Sequence, residues 1–208
     1  MSDETTPRWI LATANSHKVE ELSAIFAAAG ADVALEPLPA GFAMPEETGA
    51  TFLANARIKA RAVAEATGRT ALADDSGLEV DALGGEPGVH SARWSGVAGE
   101  AADAANNAKL LAELTGIHGP NRRARFRCVL VLAAPGRPEV VAQGAIEGFV
   151  GTALTGPGGF GYDPLFQPEG DARTLAEYAP GEKNRVSHRG QAARQLLQLL
   201  ATRGGLEP

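Results

Sequence analysis

Cysteine is almost missing from the chain: Cys128 stands alone among 208 residues. A single cysteine excludes an intrachain disulfide framework and any multi-cysteine metal site, and it agrees with a reducing compartment. Cys128 lies in the apolar stretch from Phe126 to Ala134, where a buried structural thiol fits better than a nucleophile. Positive charge is also in deficit. Nineteen Lys and Arg face 25 Asp and Glu, a net charge of −6 with histidine neutral, so no global basic field exists to hold nucleic acid or an anionic membrane. Any anionic ligand must then meet a local basic cluster. No apolar run approaches the roughly 20 residues that cross a bilayer. The segment Met1 to Pro7 is acidic and polar, without the basic-then-apolar pattern of an export signal. These absences lead us to expect a soluble, cytoplasmic protein with neither a membrane nor a nucleic-acid partner. Aromatics make up only 5% of the chain, so each one set among glycines stands out.

What is present suits a globular α/β protein. A length of 208 residues, 44% of them hydrophobic, can bury one sizeable core or one domain with two lobes. Residues 8–203 read as that domain, with short tails at 1–7 and 204–208. The most pointed stretch is Thr70 to Gly77, Thr-Ala-Leu-Ala-Asp-Asp-Ser-Gly, in which an apolar run ends in two carboxylates, a hydroxyl and a glycine. Strand ends of this kind are where α/β proteins place chemistry, and Asp74 and Asp75 are the candidate acids. Asp, Ser and Gly also favour ordinary turns, so the stretch alone fits either. Leu78 to Leu83 alternates like a half-exposed strand before Gly84-Gly-Glu-Pro-Gly88 breaks it.

Arg8 to Ala14 reads as a first strand that runs into Thr13-Ala-Asn-Ser-His-Lys18. Asn15 or Ser16 caps the helix that follows, whose stripe of Val19, Leu22, Ile25 and Phe26 stops near Gly30. The amides of a first helical turn attract anions, so Thr13, Asn15 and Lys18 make a phosphate cradle or, equally, a plain capped helix with a surface lysine. A loop rich in Pro and Gly then leads through Glu46-Glu-Thr-Gly49 to an alanine-rich helix over 51–67, closed by Gly68. Lys59 shares its apolar stripe with Phe52, Ala56 and Val63, where a lysine either snorkels outward or points into a cleft. Arg93, in an irregular segment, reaches a phosphate or forms a surface ion pair. A third helix over 100–115 presents Ala101, Ala104, Ala108, Leu111 and Ala112 and reads as structural.

Phe126 to Ala134 is apolar on both parities from Cys128 onward, which predicts a central strand buried on both faces. Glu139 to Phe149 predicts a further strand or pair, interrupted at Gly144 and Gly148. Four glycines between Gly156 and Gly161 let backbone approach a ligand, while Phe160 and Tyr162 offer faces on which a planar base can stack. Thr174-Leu-Ala-Glu177 matches a capping box. Lys183, Arg185, His188 and Arg189 gather at or just before the N-terminus of a last helix, capped by Ser187, with Ala193, Leu196, Leu197 and Leu200 on one face. Positive charge there is unfavourable unless an anion answers it.

Taken in order, these stretches resemble the inosine triphosphate pyrophosphatase family, also called the Ham1-like family. The resemblance runs from about Trp9 to Leu200 and rests on Thr13-Ala-Asn-Ser-His-Lys18, Glu46-Glu-Thr-Gly49 with Phe52 and Asn55, and Asp74-Asp-Ser-Gly77. It continues through Gly84-Gly-Glu-Pro-Gly88, Ser91-Ala-Arg93, Gly158-Gly-Phe-Gly-Tyr-Asp-Pro164 and Ser187-His-Arg-Gly190. It implies an elongated mixed β-sheet flanked by helices, two lobes with a central nucleotide-binding groove, and a homodimer. It also implies magnesium-dependent hydrolysis of ITP, dITP and XTP to the monophosphate and pyrophosphate. On this resemblance Thr13, Ala14, Asn15, Ser16, His17 and Lys18 bind the triphosphate, with Lys59 reaching the phosphates. Asp75 is the proton acceptor and a magnesium ligand, and Glu47 or its neighbour Glu46 is the second acidic ligand. Ser76, Phe160, Gly161, Tyr162, Asp163, Lys183, His188 and Arg189 line the nucleotide site. The chain departs from the pattern at Ala14, where glycine is frequent, and at Trp94, where tyrosine is common; the former tightens the phosphate turn if positive φ is needed there.

The implied chemistry needs a water aimed at phosphorus, a base for its proton and cations for the spreading charge. His188 and Arg189 can donate to the 6-oxo group of a deaminated purine, where an amino group would present unmatched donors. A nucleotide sensor without hydrolysis is the alternative from another class, and it would have no need of the carboxylates and lysines together.

Overall fold

The computed structural model describes residues 6–203. The tails read at 1–7 and 204–208 therefore lie, apart from residues 6 and 7, outside the described residues. Strand β1 (Arg8–Leu11) is short and apolar, with Trp9, Ile10 and Leu11 buried. Helix α1 (Ser16–Ala28) starts where the Asn15 side chain accepts the Lys18 amide at 3.2 Å, a capping bond that satisfies one orphan N–H. Strand β2 (Ala34–Glu36) follows, then α2 (Phe52–Thr67). Thr51 caps α2 by accepting the Ala54 amide, and Gly68 closes it in the left-handed conformation, φ +67°.

The next strand differs from the sequence reading. β3 runs without a break from Ala71 to Val80, so Asp74, Asp75, Ser76 and Gly77 lie inside a strand rather than at a strand end or turn. Turn propensity gives way here because the carboxylates find partners in tertiary structure. The alternation read over Leu78 to Leu83 holds as far as Val80, with Leu78 and Val80 covered and Glu79 half-buried, but Asp81–Leu83 is a 3-10 turn and not strand. Helix α3 (Ala102–Glu113) corrects a second expectation. Its covered face carries Asn106, Asn107 and Leu110, while Ala101, Ala104, Ala108 and Ala112 are exposed.

Strands β4 (Arg123–Ala133) and β5 (Val140–Val150) come next, and β5 is one strand, not interrupted by Gly144 or Gly148. Strand β6 (Phe166–Pro168) completes the set. Residues 180–186, which carry the first two members of the basic cluster, form helix α4 (Pro180–Val186), with proline at its first turn where the missing N–H costs nothing. Lys183 and Arg185 thus sit inside α4 and not ahead of the last helix, α5 (His188–Thr202). The capping box at Thr174 and Glu177 is formed, on a single 3-10 turn.

The sheet has six strands in the order β2-β1-β3-β4-β5-β6. β1 pairs in parallel with β2 and β3, Trp9 opposite Leu35 and Leu11 opposite Leu72, whereas β5 and β6 are antiparallel, Phe149 opposite Gln167. The sheet is therefore mixed. The chain gathers into two compact units. The first takes the described residues through Asp75, Cys128–Gly144 and the chain from Arg189 on; the second takes Ser76–Arg127 and Ala145–His188. The first has a core of Trp9, Leu22, Phe26, Leu72, Leu130 and the α5 residues Ala193, Leu196 and Leu200. The second has a core of Leu78, Leu110, Phe126, Val150, Tyr162 and Phe166. Within the second, Arg122 is buried and donates to the carbonyls of Leu114, Ile117, Val150 and Gly151. No helix among the described residues is long and apolar enough to cross a membrane.

Candidate active site

Successive strand residues point to opposite faces, and Asp74 and Asp75 accordingly enter different surroundings within the first unit. Asp74 is 0% exposed. Its Oδ1 accepts from Lys18 Nζ, and its Oδ2 accepts from Arg189 Nε at 3.0 Å and from the Cys128 thiol at 3.1 Å. Burial acts to raise this carboxyl, but Arg189 and Lys18 outweigh it and hold Asp74 well below the usual carboxylate range. Arg189 also pairs with Glu21 on α1. Burial and Asp74 together push the Cys128 thiol well up, which leaves it protonated as a donor.

Asp75 is 5% exposed and lies under α2. Lys59 points inward rather than snorkelling: its ammonium donates to the Asp74 carbonyl at 2.7 Å and to Asp75 Oδ1 at 3.1 Å, and pairs with Glu47 Oε1 at 2.7 Å. Three acceptors for three N–H groups hold it in place. Glu47 is the member of the acidic pair that meets Lys59, and its neighbour Glu46 is exposed. Burial lowers Lys59, yet Asp75 and Glu47 prevail and raise it. For Asp75, burial is the largest influence and Lys59 and Lys18 oppose it; with Glu47 adding its own repulsion, the carboxyl ends above its ordinary value. Its second oxygen, Oδ2, is buried and takes no hydrogen bond from any described residue.

An oxygen in that condition can be met by a proton or by a cation. Magnesium is usually met by one or two carboxylates, with substrate phosphates and water supplying the rest. Asp75 and Glu47, drawn together by Lys59, form such a pair and fit the ion. No group of three or more His, Cys, Asp or Glu among the described residues could hold a metal without the phosphates. At the start of α1, Thr13 Oγ1 accepts the Asn15 amide at 3.1 Å, and Ala14, Asn15, Ser16 and His17 are exposed. Among the described residues no non-glycine has positive φ, so Ala14 sits in ordinary backbone and the turn is not tightened by the missing glycine.

The remaining candidates belong to the second unit, apart from Arg189. Ser76 is half-buried in β3. Asp163 Oδ2 accepts the Phe160 amide at 2.9 Å and Lys183 Nζ at 2.6 Å, and that ammonium lies 4.8 Å from the centre of the half-buried Phe160 ring. A Cβ at position 159 would stand 2.4 Å from Asp163 Oδ2, so this close approach requires glycine. Tyr162 does not offer a stacking face: its ring is in the core and its hydroxyl donates to the Ser91 carbonyl at 2.9 Å. His188 is buried and stacked on Phe126, 4.8 Å between centres and 12° between planes. The sequence reading missed the asparagines of α3. Asn106 donates to the carbonyls of Ser91 and Ala92, and Asn107 to that of Gly161. Their signal was available, because two adjacent asparagines are unfavourable inside a helix unless tertiary bonds retain them.

Residues 9–199 match the sequence model of the Ham1 family. A protein of Streptomyces avermitilis named dITP/XTP pyrophosphatase is 50% identical over 195 residues, 93% of this chain and 96% of its own length. The protein of the same name from Nitratidesulfovibrio vulgaris is 51% identical over 195 residues, 91% of this chain and 94% of that one. Among solved structures, the Ham1 protein of Staphylococcus aureus has a TM-score of 0.81 at 37% identity, covering 94% of this chain and 99% of its own. A nucleoside-triphosphatase / dITP/XTP pyrophosphatase from Mycobacterium abscessus has a TM-score of 0.72 at 46% identity, covering 94% and 98%.

Proposed function

The chain belongs to the Ham1 family, its reaction is the hydrolysis of non-canonical purine nucleoside triphosphates (ITP, dITP, XTP) to the monophosphate and pyrophosphate, and we propose that Asp75, Glu47 and Lys59 form the centre where that reaction occurs. One observation carries the assignment. Asp75 is buried, raised above its ordinary value and keeps an oxygen with no hydrogen-bond partner among the described residues, beside a second carboxylate. A magnesium ion held by Asp75 and Glu47 would offset charge on the phosphates and acidify the attacking water.

In this proposal Asp75 orients the water and accepts its proton. Lys59 keeps the two carboxylates together and reaches the phosphates, and Lys18 with the turn from Thr13 to His17 takes the triphosphate. Lys18 and Lys59 then steady the departing pyrophosphate, where negative charge accumulates. Phe160 supplies the stacking face, Ser76 and Lys183 complete the nucleoside contacts, and Gly161, Tyr162 and Asp163 hold the loop that presents Phe160. His188 and Arg189 donate to the 6-oxo group; Arg189 does so while tethered to Asp74 and Glu21. Equal retention of the ITP-over-ATP preference in His188→Ala and Arg189→Ala would remove both from base reading. Residues 8–203 act as one catalytic domain, and the working form is a cytoplasmic homodimer, which sedimentation of the purified protein tests.

The deciding experiment is pyrophosphate release from ITP, XTP, ATP, GTP and dTTP, each with magnesium and with EDTA. Release from ITP and XTP that EDTA abolishes is the expected result. Release that persists in EDTA overturns the metal assignment, and release mainly from dTTP overturns the base preference.

A further inference from the structure

One helix grips Gly161 from both sides of its backbone. α3 carries Asp103 and Asn107 one turn apart, hence on one face. Asp103 Oδ2 accepts the Gly161 amide at 2.7 Å, and Asn107 Nδ2 donates to the Gly161 carbonyl at 2.8 Å. Gly161 itself has φ +60°, a conformation that side chains rarely adopt. On the other side of the Phe160 Cα, the Phe160 amide is fixed by Asp163. The backbone that carries the Phe160 ring is therefore held before and after it, within a stretch whose four glycines between 156 and 161 would otherwise make it costly to order.

Asn107 is kept there against a penalty. It is 5% exposed, and its Oδ1 is buried with no hydrogen-bond partner among the described residues. A buried, unsatisfied carbonyl costs free energy that a leucine of similar size would not. The amide is retained for its donor, and the donor goes to Gly161.

We propose that Asp103 and Asn107 are positioning residues for base selection: by clamping Gly161 they fix the orientation in which Phe160 presents its ring to the purine. This rests on the assignment of Phe160 to the nucleobase made above. Both residues bond to Gly161 and neither is among those assigned above to the phosphates or the reacting water, so the clamp should govern how well the base is held and leave the chemical step alone.

The test compares Asp103→Ala and Asn107→Ala with the parent enzyme in steady-state hydrolysis of ITP and ATP, in inhibition by inorganic tripolyphosphate, and in thermal melting. Loss of one such bond should raise KM for ITP about fivefold with kcat within about twofold, and lower the ITP-over-ATP preference by a similar factor. Inhibition by tripolyphosphate, which has no base, should not move. Asp103→Asn, which keeps an acceptor, should recover most of the parent KM. Unchanged KM and preference in both alanine variants overturn the clamp, and so does tripolyphosphate inhibition that weakens in parallel, because that marks general loosening. If Asn107→Ala does not fold, the exposed Asp103 decides alone. A parent enzyme inactive on ITP would take the inference down together with the functional reading, and that result is visible before any variant is made.

Discussion

Asp74 and Asp75 are adjacent on β3, equally buried in practice, and opposite in condition. Asp74 is surrounded by donors: an ammonium, a guanidinium and a thiol share its two oxygens. Asp75 shares a single ammonium with Glu47 and keeps one oxygen unengaged among the described residues. Burial acts on both in the same direction, and the nearby charges decide the outcome: Arg189 and Lys18 lower Asp74, whereas Lys59 and Lys18 do not overcome burial and the repulsion of Glu47 at Asp75. A carboxylate saturated with partners ties structure together. One left short of partners is available to a metal, a water proton or both.

Four substitutions would sharpen or break that contrast. Asp75→Asn should reduce pyrophosphate release from ITP about a thousandfold while the melting temperature stays near that of the parent; substantial turnover would remove Asp75 from the chemistry. Asp74→Ala should instead show in stability, with about 3 kcal/mol lost in urea unfolding, because Lys18 and Arg189 lose their shared buried carboxylate and Arg189 keeps only Glu21. If it lost activity as deeply as Asp75→Asn with no loss of stability, the division between tie and reactive group would fail. Lys59→Met should cut turnover about a hundredfold, and raise the magnesium concentration needed for half-maximal activity, since two carboxylates would repel each other without their shared cation. The smallest effect belongs to Cys128→Ala, about 1 kcal/mol in the same urea experiment, from one lost hydrogen bond and a small cavity. In the folded parent, Cys128 should resist iodoacetamide until denaturant is added, as expected of a buried thiol held protonated.

Features written in local sequence were legible. The Asn15 cap, one of the two that the sequence offered, the Gly68 stop and the capping box at Thr174 each depend on a few neighbouring residues, and all are formed; Thr51, which caps α2, was read only as the first residue of its helix. The buried β4 strand was legible for the same reason, as an unbroken apolar run. Where a distant partner decides, local sequence leaves the outcome open or misleads. Asp-Asp-Ser-Gly favours a turn until Lys18, Lys59, Arg189 and Cys128 supply the bonds that let a strand pass through. The inward direction of Lys59 follows from acceptors at Glu47 and Asp75, twelve and sixteen positions away. α3 was assigned the wrong face because alanines look like core and asparagines do not, whereas its asparagines face carbonyls at 91, 92 and 161. The α4 helix was missed despite its proline at the first turn, which was a usable local signal.

The path of the chain between the two compact units has a consequence for biosynthesis. The chain changes unit at 75/76, 127/128, 144/145 and 188/189. Translation therefore delivers every residue of the second unit by His188, while the first still lacks α5, the source of Ala193, Leu196 and Leu200 in its core and of the guanidinium for Asp74. A ribosome stalled just after His188 would present β1, α1 and α2 with that core unsealed and Asp74 short of its strongest counter-ion. The amino-terminal segment, first to emerge, is thus the last to be secured, and a protein truncated before Arg189 should be recognised by proteases through its oldest residues.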